Sequence, residues 1–225
     1  MALGRRVGKI MRPQGIRRNL ITCCALFAFA VLLSAAAAHR PPQTGASVGA
    51  QEIVLSIDPA QSSVHYSVGS SLHTIHGTFT VKRGTLRFDS ATGKAAGEIV
   101  VDAISGQSGN SSRDKKMHKE VLESERFTDI VFRPDRVEGA VQHEGTSSAQ
   151  LHGVFAIHGS EYALTVPVRA ELKSETWKGT ANFSVPYNDW GLKNPGNFLL
   201  KVDHAVSIEV EMGGSIQAQA VAAKP

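Results

Sequence analysis

The stretch AQLHGVFAIHGSEYALTVPVRAELKSETWKGTANFSVPY, residues 149–187, decides the fold. Its apolar and polar residues alternate with a period of two, the spacing at which successive side chains of a strand point to opposite faces. Leu151, Gly153, Phe155 and Ile157 fall on one face of the first run. Trp177, Gly179, Ala181 and Phe183 do the same further on. The link HGSE (158–161) has turn chemistry and is too short to hold a crossover helix, so the strands it joins are antiparallel.

The same pattern extends outward in both directions. Upstream lie EIVLSID (52–58), SSVHYSV (62–68), HTIHGTFTV (73–81), GTLRFD (84–89), AGEIVVDA (96–103), DIVFRP (129–134) and RVEGAVQ (136–142), and downstream DHAVSIEVEM (203–212). DSATGK (89–94) and QHEGTSS (142–148) are further turn signals. Ten or so strand segments with one short helix predict an all-β, antiparallel closed barrel or a sandwich, since both protect sheet edges. Large residues alternate with glycine or alanine on the apolar faces. That alternation either leaves room inside or only relieves curvature.

The helix is expected near residues 112–123, within SGQSGNSSRDKKMHKEVLE (105–123). Ser111 is the expected N-cap, with Asp114 three residues on in a capping-box arrangement. At ~100° per residue, Met117, Val121 and Leu122 share a side with Arg113, Asp114 and His118, and lysines and glutamates occupy the other. In one reading Arg113 and His118 meet a ligand headgroup. In the other, local bonds satisfy them.

The N-terminus reads as an export signal. Six basic residues between Arg5 and Arg18 precede an apolar run, Leu20 to Leu33, and small residues from Ser34 to Ala38 suit cleavage. The boundaries follow: 1–38 a signal peptide, 39–51 a flexible linker rich in Pro, Gly and small residues, 52–213 the folded domain, and 214–225 a disordered tail. The expected destination is periplasmic or secreted, by general secretion or, through Arg17-Arg18, by a twin-arginine route.

Without residues 1–38 the 24 basic residues fall to 18 against 20 acidic, a net of −2. A near-neutral domain without a basic stripe gives no reason to propose nucleic-acid binding. Cys23 and Cys24 both lie in the signal, so the domain has no disulfide or thiol chemistry.

Spacing bears on a nucleophile and on a metal site. Gly106-Gln107-Ser108 sits between a strand and a helix like a nucleophile elbow, but Asn110 stands where that motif needs glycine. A periplasmic hydrolase using Ser108 or His118 is the enzyme alternative, and a sandwich interaction module with a filled core is another. His152 and His158 share a face but lie roughly 20 Å apart at about 3.3 Å per residue, too far for one metal ion. No metal and no cofactor is expected.

Taken in order, TIHGTFTVKRGTLRFD, SGNSSRDKKMHKEVLESERFTDIVFRP, LHGVFAIHG and NDWGLKNPGNFLLKV resemble the YceI-like family of exported lipid-binding proteins. The resemblance spans about Glu52 to Gly213. Its most specific part is the ordered set Gly77, Phe79, Arg113, Asp114, Phe127, Pro134, Gly153, His158 and Gly159. It implies an extended lipocalin-like barrel whose apolar interior holds an isoprenoid quinone or polyprenyl phosphate, without catalysis. By analogy and face parity, Phe79, Phe88, Val101, Phe132, Phe155 and Phe183 are the expected tunnel lining, with Arg113 and His118 as candidate headgroup contacts. The chain departs from the family pattern at Glu161-Tyr162 and at Trp190-Gly191-Leu192-Lys193. Transient membrane contact and a homodimer complete the expected partners.

Overall fold

The computed structural model describes residues 51–220. The expected signal, nearly all of the linker and the last five residues lie outside that range. The strands are β1 (Gln51–Ile57), β2 (Ser63–Val68), β3 (Ile75–Asp89), β4 (Ala95–Gln107), β5 (Asp129–Glu138), β6 (Gly145–Ile157), β7 (Ser160–Lys173), β8 (Thr176–Val185) and β9 (Val206–Ala220). A helix, α1 (Ser111–Lys116), lies between β4 and β5 and runs into a single π-helical turn at Met117–Val121. Every strand pairing is antiparallel.

The sheet closes on itself as an eight-stave barrel, because β1 and β2 together make one stave. β2 pairs with the first part of β3 and the first part of β9 (Val64↔Phe79, Val64↔Val210). β1 pairs with the remaining part of each (Leu55↔Leu86, Leu55↔Ile216). The break between them is a 3-10 turn at Pro59–Gln61, capped by the Asp58 side chain accepting from the Ala60 N–H at 2.9 Å. Asp at the cap followed by Pro in the first turn is the combination such a start favours.

Two features differ from the sequence expectation. Residues 214–220, expected as a disordered tail, continue β9 and give β1 its partner, with Ile216 packed against the core. Separately expected segments also merge: HTIHGTFTV, from Ile75 on, with GTLRFD into β3, and DIVFRP with the first three residues of RVEGAVQ into β5, the rest of which lies in the link to β6. Each merged strand contains a register shift, between Val81 and Arg83 in β3 and between Pro134 and Arg136 in β5. A bulge adds one residue and so moves the inward set to the opposite parity. Phe79 and Val81 point inward before the β3 bulge, and Leu86 and Phe88 after it.

The interior holds two apolar clusters. One is built on Ile53, Leu55, Phe88, Ile99, Leu172 and Trp177. The other is built on Val121, Leu122, Ile157, Val185, Tyr187 and Leu192, at the end that carries α1. Trp177 ties β8 to the split stave by donating its indole N–H to the Ser56 carbonyl at 3.1 Å.

Candidate functional site

The barrel interior contains two cavities, of about 160 Å³ and 180 Å³. Phe155, Phe183 and Val210 form walls of both, so the cavities adjoin end to end. Phe88, Phe132 and Phe155 line the first, beside Trp177, Ala181 and Phe183. Phe79, Val101, Phe155 and Phe183 line the second, beside Met117 and Leu192. All six apolar residues expected as lining therefore face these spaces. The strand parity that brings them there is the alternation legible in the sequence.

The two glycine readings separate by position. Gly179 lines the first cavity, and a Cβ there would come 3.0 Å from the Trp177 ring, so the glycine makes room for the inward indole. Gly153 instead answers a close approach: a Cβ there would strike the Arg133 carbonyl and come 2.8 Å from Pro134 Cα, at the β5 bulge.

Polar groups in the second cavity's wall are few and committed. Tyr66 and Tyr187 carry the only side-chain hydroxyls of that lining. Tyr66 directs its hydroxyl to Met117 Sδ at 3.6 Å, and Tyr187 donates to the Asp203 carbonyl at 2.7 Å. Burial, helped by Asp203, pushes the Tyr187 phenol up to about 12. Burial likewise raises Tyr66, with Asp114 adding in the same direction. Both phenols therefore stay neutral, and the wall offers an apolar chain no charge.

The helix closes this end of the barrel with Met117, Val121 and Leu122, the three anchors expected on its packed side. Its cap differs from expectation. Asn110 is the N-cap, its side-chain oxygen accepting from the Arg113 N–H at 3.0 Å, and Ser111 is the first helical residue. Asp114 turns away from a capping-box role and accepts from the Ser108 N–H at 2.9 Å and from the Ser108 hydroxyl. In the π-turn the Leu122 N–H bonds to the Met117 carbonyl at 2.9 Å, five residues back. This wider turn brings both Val121 and Leu122 to the interior.

Arg113 and His118, expected as headgroup contacts, line neither cavity. Arg113 donates from Nε to Ser108 Oγ at 2.7 Å and from Nη2 to the Ser108 carbonyl at 2.9 Å. His118 lies with Nε2 2.8 Å from the Gly106 carbonyl and Nδ1 2.9 Å from Ser124 Oγ. A carbonyl only accepts, so Nε2 carries the proton and, in the neutral ring, Nδ1 accepts from the serine. These bonds pin the helix to β4 and satisfy both side chains locally. Ser108 has Asp114 and Arg113 as its partners, with His118 turned to Gly106 and Ser124, so the pair forms no nucleophile-and-base unit.

The segment after β8, residues 186–205, supplies wall residues that alternation does not reveal: Tyr187, Leu192, Pro195 and Val202. It is seated by aromatic contacts. Trp190 stacks on Tyr162 with centroids 4.2 Å apart and planes 3° from parallel, and lies 5.7 Å from Phe155. Tyr162 also donates to the Trp190 carbonyl at 2.5 Å. The two departures from the family pattern thus meet in one contact. Their appearance together in the sequence was the available signal.

A closed antiparallel barrel with a largely apolar, partly open interior is the architecture of a binding module. Residues 55–214 match the model of the YceI-like domain, and the chain belongs to that family. A UPF0312 protein of Pseudomonas fluorescens is 32% identical over 148 residues, covering 60% of this chain and 72% of the relative. A UPF0312 protein of Pseudomonas putida is 29% identical over 147 residues with the same coverage. Among solved structures, Burkholderia cenocepacia BcnA is similar with a TM-score of 0.58 at 16% identity, over 70% of this chain and 99% of that one. A polyisoprenoid-binding domain from Saccharophagus degradans, implicated in plant cell wall breakdown, gives 0.55 at 13% identity, over 77% and 99%. At these identities the two structures speak to the fold.

Proposed function

We propose that the protein binds an isoprenoid lipid, a quinone or a polyprenyl phosphate, along the barrel axis and carries or sequesters it without chemical change. The observation that carries this reading is the pair of apolar cavities inside one barrel that share Phe155, Phe183 and Val210 as walls. An isoprenoid chain gains roughly 0.8 kcal/mol for each buried methylene-sized group, about 3 to 4 kcal/mol gross per five-carbon unit. Chain ordering offsets part of that gain. Burial of this kind is non-directional, which fits a wall with almost no polar groups. The solved polyisoprenoid-binding relative supports the ligand class, and the basic, apolar N-terminal segment supports action outside the cytoplasm, in the periplasm or secreted. The lipid is the ligand and no other cofactor is required.

The test is organic extraction and mass spectrometry of full-length protein purified without detergent. A prenyl lipid at about one per chain is the expected result. Lipid-free protein that also takes up no added quinone would overturn the reading.

A further inference from the structure

The two ends of the barrel differ in what they show to solvent. One end carries the turns β3–β4, β5–β6 and β7–β8, whose sequences are polar. The other carries α1, the β2–β3 loop and the long β8–β9 segment. Leu72 is 77% exposed, Phe198 98% and Leu199 87%, and all three lie on loops of this second end. Single exposed apolar side chains are ordinary, but several gathered on one tip mark a surface that meets something else.

The three residues belong to one tip. Ser70 bridges to Val202, the Ser71 N–H donates to the Lys201 carbonyl at 3.0 Å, and the Lys201 N–H donates to Ser71 Oγ at 3.3 Å. Asn197 shapes the apex, its side-chain oxygen accepting from the Leu199 and Leu200 N–H groups at 2.9 and 2.8 Å. Phe198 and Leu199 are thus presented outward by a bonded turn, beside Leu72. The base of the same tip, Pro195 and Val202, is wall of the second cavity.

We propose that this tip inserts into the surface of a phospholipid bilayer and sets the α1 end of the barrel against the membrane. Two observations choose a bilayer over a second copy of the chain. First, a stable protein interface needs about 800 Å² per partner, and three side chains of roughly 150 Å² each supply about half of that. Second, lysines flank the apex. Residues 69–74 carry no charge, and the β8–β9 segment carries Lys193 and Lys201 toward its apex with Asp189 and Asp203 at its base. The adjoining helix adds Lys115, Lys116 and Lys119, with Lys116 Nζ held on the Pro195 carbonyl at 2.7 Å and Glu120 occupied by Lys193 at 2.6 Å. An apolar apex with Lys201 beside it and Lys115, Lys116 and Lys119 on the adjoining helix suits an interface with anionic headgroups. Its use, delivery of an apolar chain between bilayer and interior without crossing water, rests on the lipid-binding reading, but the docking does not.

The test is hydrogen–deuterium exchange of the full-length protein with and without vesicles of phosphatidylethanolamine and phosphatidylglycerol. Peptides covering 69–74 and 196–202 should gain protection, while the turns at the opposite end should not. The double variant Phe198→Ser/Leu199→Ser should lose that protection and lower the vesicle-bound fraction at least about 10-fold relative to wild type, each compared in the same processed form so that residues 1–38 contribute equally. Protection equal at both ends, protection unchanged in the double variant, or protection that rises with protein concentration in the absence of vesicles would overturn the proposal. A short-chain quinone added without vesicles reports on the interior separately. If both proteins bind it yet neither shows tip protection, the docking fails and the lipid-binding reading stands. If neither binds it yet the tip is protected, the reverse holds.

Discussion

Tyr162 and Trp190 lie face to face, 4.2 Å between centroids, so that the β6–β7 corner and the segment after β8 are held together by one aromatic pair. Phe155 touches the same indole from the cavity side at 5.7 Å. The stack therefore positions a wall of the interior as well as a loop.

A double-mutant cycle on this pair should show coupling. Tyr162→Ala and Trp190→Ala are each expected to destabilise, and the double variant to fall short of their sum by about 0.5–1.5 kcal/mol. Urea unfolding midpoints of the four proteins measure it, and strict additivity would mean the stack contributes only burial.

Val210 bounds both cavities at their junction. Val210→Trp should obstruct the path there while leaving the fold intact, because the added ring enters existing space and not a filled core. Long isoprenoid chains should lose affinity by at least about 10-fold, the equivalent of roughly 1.4 kcal/mol, while a chain short enough for one cavity should be less affected. Equal loss for both lengths would argue against a continuous path.

The helix start distinguishes Asn110 from Ser111. Asn110→Ala removes the oxygen that accepts from Arg113 N–H and should cost about 1 kcal/mol. Ser111→Ala, within the first turn, should be near neutral or slightly stabilising, since alanine is the better helix former. Thermal or urea denaturation of the two variants gives the comparison, and a larger loss at Ser111 would contradict the observed cap.

Tyr187 makes stability fall at alkaline pH. Its phenol ionises near 10 in the unfolded chain and near 12 in the fold, so between these values the unfolded chain releases a proton that the fold retains. Its contribution is complete below pH 10 and is lost as pH rises to 12. The two-unit difference sets an upper limit near 2.7 kcal/mol, reduced to about 1–2 kcal/mol by screening. Tyr187→Phe should flatten this part of the stability profile and remove one late-ionising tyrosine from an absorbance titration; an unchanged titration would refute the assignment.

Alternation made much of this fold legible. Trp177, Gly179, Ala181 and Phe183 face the interior as their parity requires, and the intervening Lys178, Thr180 and Asn182 are exposed. The segmentation was less legible because a bulge changes parity within a strand. Lys82 and Arg83 are consecutive exposed residues inside β3, which reads as a strand end when only the period is followed. The helix anchors Met117, Val121 and Leu122 followed from spacing, whereas its cap lay one residue earlier because Asp114 found a better partner in Ser108 than in a capping box. The wall contributed by residues 186–205 has no period at all. It depends on long-range contacts such as Tyr162 with Trp190, and only the family resemblance marked that segment.

The last stave also fixes when an interior can exist. β9 closes the barrel against both β1 and β2, joining residues such as Leu55 and Ile216 from opposite ends of the domain. Until β9 has been synthesised, the other strands can form at most an open, curved sheet, with no enclosed space to shelter an apolar chain. Closure is a late, long-range event that local pairing cannot replace. A chain interrupted before residue 206 would present its apolar face and the free edges of β1 and β2 to its surroundings, making incomplete molecules candidates for aggregation and not carriers of reduced capacity.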